Sequence, residues 1–261
     1  MIKKAIIFIT AAVFMCIVTA VSASAQTGDV EVPVVLYHNI ADEFTDDYYD
    51  PFLNVSPDLF YEHISALKNA GYNAITYDMY YDHVHNGASL PYKPILITFD
   101  DGYSSNYMYA YPILKELNVK ATIFVITDRR GMALSRNPHF SWNQAREMQD
   151  SGIIDIQSHT HSHQVATALT DFDLAFELKT SKNLIENKLG KKCSVIAFPF
   201  GAAGEREIAA AKKAGYLVIN KVGDKGVNRR SEGTDALKRI TVRADWTGKK
   251  LLEVLDENMA Y

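Results

Sequence analysis

Two stretches of this chain carry residue types that could bind a divalent metal and move protons around it. Asp100-Asp101-Gly102 ends the apolar run 95–99. Neighbouring carboxylates can divide the work, one ligating a metal while the other takes a proton from a reacting water. An isolated triplet of this kind would read as a solvated turn, but here it caps a buried run. Ser158-His159-Thr160-His161-Ser162-His163 places three histidines within five residues, directly after the strand-like run 153–156. In an extended chain all three imidazoles share one face. In a turning chain His159 and His163 meet, and His161 points elsewhere. The chain has just left a strand and must turn, which favours the pair four residues apart. One carboxylate added to that pair gives a two-histidine, one-acid donor set with open positions, as catalytic zinc requires.

Two further features are weaker. Phe198-Pro199-Phe200-Gly201 follows the apolar run 194–197 and reads as either a strand end with its turn or a groove wall. Arg243-Ala244-Asp245-Trp246 offers a tryptophan that could be a sugar platform or a core residue. His63, His83 and His85 fall in helical segments and read as surface residues. His139 lies in a polar loop, 128–140, at the rim. Tyr103, Tyr107 and Tyr111 are at helical spacing and read as packing residues.

The elements that must position these groups alternate. Buried-strand patterns occupy 32–37, 74–76, 94–99, 120–126, 153–156, 194–198, 216–219 and 239–242. Between them lie helices. One starts at Ser56-Pro57-Asp58 and runs to Ala70, and another covers 106–117. A third opens at Ser141 in capping-box style and ends near Gly152. Helices at 171–189, closed by Gly190, at 205–214 and after Thr247 complete the series. Alternating strands and helices predict a parallel sheet with its chemistry at the carboxyl ends of the strands. The count fits a closed or nearly closed barrel better than an open sheet. The acidic and aromatic stretch 42–51 reads as a loop. No internal repeat, low-complexity segment or interdomain linker interrupts the pattern.

Met1-Ile2-Lys3-Lys4, an apolar run at 5–21 and Ser22-Ala23-Ser24-Ala25 describe a secretory signal peptide over 1–25, leaving a single domain over 26–261. An uncleaved membrane anchor is the alternative. Removing Lys3 and Lys4 from the 27 basic residues leaves 25 against 31 acidic ones, a net charge of −6. That balance, with no basic run, argues against nucleic acid. Cys16 falls in the leader, so Cys193 has no partner for an intramolecular disulfide.

Thr98-Phe99-Asp100-Asp101-Gly102-Tyr103, Ser158–His163 and Phe198-Pro199-Phe200-Gly201, in this order, resemble the motifs of the NodB-type polysaccharide deacetylases, carbohydrate esterase family 4. The resemblance covers nearly the whole chain after the leader, from Val32 to about Val242. It implies an α/β fold, a distorted (β/α) barrel with fewer than eight strands, and a secreted or cell-envelope hydrolase. Asp100 is then the general base. Asp101, His159 and His163 hold a divalent metal, zinc first with cobalt or nickel as alternatives. The Phe200 amide faces the oxyanion, and Pro199, Phe200, Gly201 and Trp246 line the substrate groove.

Two positions depart from the family pattern. Ala197 stands where the family carries an arginine that orients the base, leaving Arg239 or Arg243 to replace it. No histidine follows His163, so the family's C-terminal catalytic histidine is missing. Pro33-Val34-Val35-Leu36-Tyr37-His38-Asn39-Ile40 resembles the opening of the subgroup acting on poly-β-1,6-N-acetylglucosamine, in which a histidine of this early strand is the acid, and His38 fits. The substrate implied is therefore an N-acetylglucosamine polysaccharide, with association with the cell envelope and no obligate protein partner. Peptidoglycan or chitin deacetylation, acetylxylan ester cleavage, and a non-catalytic carbohydrate-binding relative are the alternatives.

Overall fold

Apolar runs too continuous for a one-sided sheet become parallel strands covered on both faces. The computed structural model describes residues 26–41, 53–129, 131, 138–222 and 227–259. The expected leader, the 42–51 loop and most of the polar loop near His139 lie outside the described residues. The strands are β1 (Val34–Tyr37), β2 (Asn39–Ile40), β3 (Asn54–Val55), β4 (Asn73–Ala74), β5 (Pro94–Phe99), β6 (Ala121–Val125), β7 (Ile154–Ser158), β8 (Val195–Ala197), β9 (Val218–Asn220) and β10 (Ile240–Thr241). Between and after them run α1 (Pro57–Asn69), α2 (Tyr77–Asn86), α3 (Tyr111–Leu117), α4 (Trp142–Asp150), α5 (Asp171–Leu189), α6 (Glu205–Lys213) and α7 (Gly248–Met259).

The main sheet is parallel throughout, in the order β10-β1-β5-β6-β7-β8-β9, with β4 pairing the start of β5. β2 and β3 form a separate parallel pair. The sheet curls into a distorted barrel. Its end strands β9 and β10 do not pair directly. Leu237, just ahead of β10, spans the gap by bonding Ile219 and Lys221. This is the α/β barrel expected from the alternation of elements.

Strand parity divides the interior in two. Ile95, Ile97 and Phe99 of β5 face outward into a core shared with Phe60 and Ile64 of α1, Leu114 of α3 and Leu178 of α5. Leu96 faces inward with Val34, Phe124, Val195, Ala197 and Val218, and Tyr77 and Tyr80 of α2 pack into that inner cluster. The same parity aims residue 100 inward, one step past the end of β5.

Local signals hold where they were legible. Ser56 caps α1 by accepting from the Leu59 amide at 3.2 Å, with Pro57 in the first turn. Ser141 and Gln144 close a capping box on α4. Gly190 ends α5 in the left-handed conformation.

The surface reading of His63 and His83 is corrected, because both are buried. His63 Nε2 meets the Trp246 carbonyl at 2.7 Å and its Nδ1 meets the Tyr37 hydroxyl at 3.3 Å, tying α1 to the turn before α7. His83 Nδ1 meets the Ala88 carbonyl at 2.7 Å and closes the end of α2. These rings supply the hydrogen bonds that loops folded over the helices demand. His85 is exposed.

Candidate active site

Because the strands are parallel, the residues that follow them gather at one end. Tyr37 of β1 is in register with Phe99 of β5, so His38 comes level with Asp100. The Asp100 amide also donates to the Tyr37 carbonyl at 3.0 Å. β7 delivers His159, whose amide donates to Val125 of β6 at 2.9 Å, and β8 delivers Phe198 to Gly201.

Asp101 Oδ1 lies 3.3 Å from His163 Nε2 and 3.5 Å from His159 Nε2. One ligand atom from each of these three residues falls within 4.8 Å of the others. The neighbours orient each donor. The Tyr103 hydroxyl donates to Asp101 Oδ2 at 2.6 Å, turning Oδ1 toward the imidazoles. Tyr103 is buried, as a packing residue should be, and its hydroxyl adds the orientation of Asp101 to that role. His159 Nδ1–H donates to the Ala197 carbonyl at 2.8 Å, which fixes its tautomer and presents Nε2. Burial pushes the His159 imidazolium down to about 4 despite the nearby Asp100 and Asp101, so the ring is neutral at pH 7, as a metal ligand must be. Burial also opposes ionisation of Asp101, but the hydrogen bond from His163 and the charges of the histidines hold its carboxyl well below the usual range. Two imidazoles and a carboxylate, mostly buried and preoriented, suit a divalent zinc-like cation with open positions.

The turning chain separates the three histidines as their spacing implies. His161 points away, its Nδ1 2.9 Å from the Thr127 hydroxyl and its ring against Phe176. Glu177 of α5 anchors the turn by accepting from the His161 and Ser162 amides at 2.9 and 2.8 Å and from the Ser162 hydroxyl. Nothing local in the sequence marks Glu177, which reaches back from a helix fifteen residues on.

Asp101, Thr160, His163 and Phe200 all have positive φ, between +59° and +69°. For residues with side chains this conformation costs roughly 1–2 kcal/mol each. Its concentration at one spot marks a built site, since such strain persists only where the surroundings enforce it.

Asp100 is gripped from below. Arg239 Nη1 and Nη2 each donate to one of its carboxylate oxygens at 2.7 Å, while Arg239 Nε donates to the Lys221 carbonyl at 3.0 Å. Arg239 is buried, with its guanidinium 5.4 Å over the Phe124 ring. Arg239 therefore takes the place that Ala197 leaves open, while Arg243 pairs with Asp245 outside. Burial would raise the Asp100 carboxyl, but the Arg239 charge and then His159 hold it below the ordinary carboxylate range. Asp100 Oδ2 is 3.8 Å from His159 Nε2.

On the other side, half-buried His38 follows Tyr37 at the end of β1, level with Asp100 and next to the Asp100-Asp101 pair. Its carbonyl accepts from the Asn106 side chain at 2.8 Å, at the start of a π-helical turn, Asn106–Ala110. The next residue, Asn39, accepts from Ser105 and donates to Asn54. Such turns often mark functional sites because they redirect one side chain. Asn106 carried no signal in the sequence beyond its helical surroundings.

Phe200 is exposed and its ring meets the His163 ring at 4.9 Å. No group among the described residues accepts from its amide. Pro199 is buried behind it. Gly201 has φ +64°, and a Cβ there would sit 2.5 Å from the Val222 amide nitrogen. Gly201→Ala is expected to displace the Phe200 turn and lower kcat about a hundredfold, in proportion to a misplacement of about an ångström. Zinc content should be unchanged, and kcat with metal analysis of the purified variant checks both. Trp246 is half-buried against the outer core. Its carbonyl meets His63 Nε2 at 2.7 Å.

A curled parallel barrel with a two-histidine, one-aspartate donor set and an arginine-held carboxylate at its carboxyl end defines an α/β-barrel hydrolase site. The family profile described as polysaccharide deacetylase matches residues 87–219. The chain belongs to the polysaccharide deacetylase family, hydrolases that act on amide bonds. It is 32% identical over 218 residues to YxkH of Bacillus subtilis, a provisionally assigned polysaccharide deacetylase, covering 84% of this chain and 74% of that one. The solved deacetylase PplD of Streptococcus pyogenes, in complex with acetate, superposes with a TM-score of 0.79 at 27% identity, over 87% of this chain and 99% of that one. The poly-β-1,6-N-acetyl-D-glucosamine N-deacetylase of Staphylococcus aureus is 26% identical over 187 residues, 68% of this chain and 64% of its own length.

Proposed function

We propose that this chain is a secreted, metal-dependent deacetylase that removes N-acetyl groups from a poly-β-1,6-N-acetylglucosamine at the cell envelope. The observation that carries this reading is the convergence of Asp101, His159 and His163 beside Asp100 and His38. Asp101, His159 and His163 would hold a divalent metal, which when bound would supply a Lewis acid for the acetamide carbonyl and a water of lowered pKa. Asp100, kept ionised by Arg239, takes the proton of the attacking water. The Phe200 amide donates to the oxygen on which charge develops. His38 donates a proton to the departing amine, without which the amine is a very poor leaving group. Acetate and a free glucosamine unit result.

The rival reading, a carbohydrate binder without catalysis, drew on Ala197 and the lost C-terminal histidine. Arg239 on Asp100 and His38 beside both carboxylates supply groups for those two roles, which favours the enzyme. The test is acetate release from β-1,6-linked N-acetylglucosamine oligomers by the chain after its leader, with chelator and with zinc or cobalt restored. Release that stops with chelator and returns with metal is expected. Oligomer binding with no release under any metal would favour the binder. Release from acetylated xylan alone would favour the esterase.

A further inference from the structure

The rim of the site carries exposed aromatic rings, two of which, Phe172 and Phe176, the proposed chemistry does not use. Phe172 is 80% exposed, Phe200 65% and Phe176 52%. They are arranged rather than scattered. α5 begins where the loop from β7 ends, so its first two turns stand at the catalytic end of the barrel. The grip of Glu177 on the His161 and Ser162 amides fixes that placement. The Phe176 ring meets the His161 ring at 5.8 Å, just as the Phe200 ring meets that of His163, edge-on in both cases. Phe172 is four residues before Phe176 and therefore on the same helix face. Two large apolar rings left exposed on one helix face at the catalytic end are the kind of surface that marks a binding site.

We propose that Phe172 and Phe176 form a carbohydrate subsite holding pyranose residues beyond the one that reacts, with Phe200 as its link to the catalytic groups. The inference rests on the deacetylase reading. A pyranose ring offers a face of C–H groups that an aromatic ring covers with gain of buried apolar area. Two rings one helical turn apart give a platform for successive sugars of one chain. Asp171 and Asp173 flank Phe172 and are exposed, Asp171 Oδ1 pairing with Arg206 at 3.3 Å and Asp173 Oδ2 accepting from the Thr170 hydroxyl at 2.7 Å. Each keeps a second oxygen that can accept from a sugar hydroxyl, which favours the polymer over an anionic membrane as occupant.

The experiment compares the metal-loaded chain with a Phe172→Ser/Phe176→Ser variant on β-1,6-linked N-acetylglucosamine dimers and hexamers. Both rings are exposed, and a melting curve verifies that the variant is folded. Expected is a fall of about tenfold in kcat/KM for the hexamer, from loss of about 1.4 kcal/mol of stacking, with the dimer changed less than about twofold. An unchanged hexamer value, or equal losses on dimer and hexamer, overturns the subsite. So does an unchanged hexamer value with reduced sedimentation on phosphatidylglycerol vesicles, which assigns the rings to a membrane. If the natural chain releases no acetate from any oligomer, the deacetylase reading fails by itself. Calorimetric titration of both proteins with the hexamer then decides the subsite, which stands only if the variant binds more weakly.

Discussion

Asp100→Asn is expected to slow acetate release by at least about a thousandfold while zinc content stays as in the natural chain, because a positioned base contributes typically 10²–10⁴. Asp100 and Asp101 are adjacent, yet their surroundings assign them different work. Asp101 Oδ1 faces two imidazoles, and its other oxygen is held by Tyr103. Asp100 has both oxygens on Arg239 and approaches the cluster only at 3.8 Å. The amide in Asp100→Asn keeps the shape and one acceptor but cannot take a proton. Asp101→Asn, by contrast, should lose metal and activity together. Asp100→Asn leaves the buried Arg239 charge without its carboxylate, so the variant should also melt lower. The rate is therefore read per folded, zinc-loaded molecule, well below the melting transition. Retained turnover in Asp100→Asn, or zinc loss equal to that of Asp101→Asn, would reverse the two assignments.

How much of this was legible in the sequence depended on the range of the interactions. The inward aim of Asp100 follows from strand parity within six residues, and the separation of His161 from His159 and His163 follows from one turn. Caps such as Ser56 and Ser141 act over three residues and were equally readable. His63 and His83 were misread because a helix pattern says which face is apolar, not which loop later folds over a polar ring. Asn106 and Glu177 act on backbone amides and carbonyls of other segments, and backbone groups leave no trace in residue types. Arg239 reaches Asp100 across 139 positions only because the sheet order brings β10 beside β1 and β1 beside β5. The sequence could name two arginines as replacements at Ala197. Only the register chose between them.

Arg239→Met tests that choice and should cost about 3–5 kcal/mol of stability in the metal-free chain at neutral pH, the usual cost of stranding one member of a buried ion pair. The sign of its pH dependence follows from the forces on Asp100. In the natural chain the folded carboxyl sits below its unfolded value of about 3.9, so it contributes stability above that pH. That contribution is lost as pH falls through the folded value. Without the guanidinium, burial is left as the dominant influence and raises the folded carboxyl above the unfolded value. Protonation then relieves a buried charge, so the destabilisation relative to the natural chain should shrink as pH falls through the raised value toward 4. Urea unfolding of both chains in chelator, from pH 7 down to pH 4, measures this. A penalty that stays constant over the range would mean that Arg239 only fills space. Arg239→Lys separates charge from geometry, because an ammonium restores the charge but cannot grip both oxygens at once. It should recover much of the stability and little of the turnover, since a base held by one contact is free to rotate away from the water it must deprotonate.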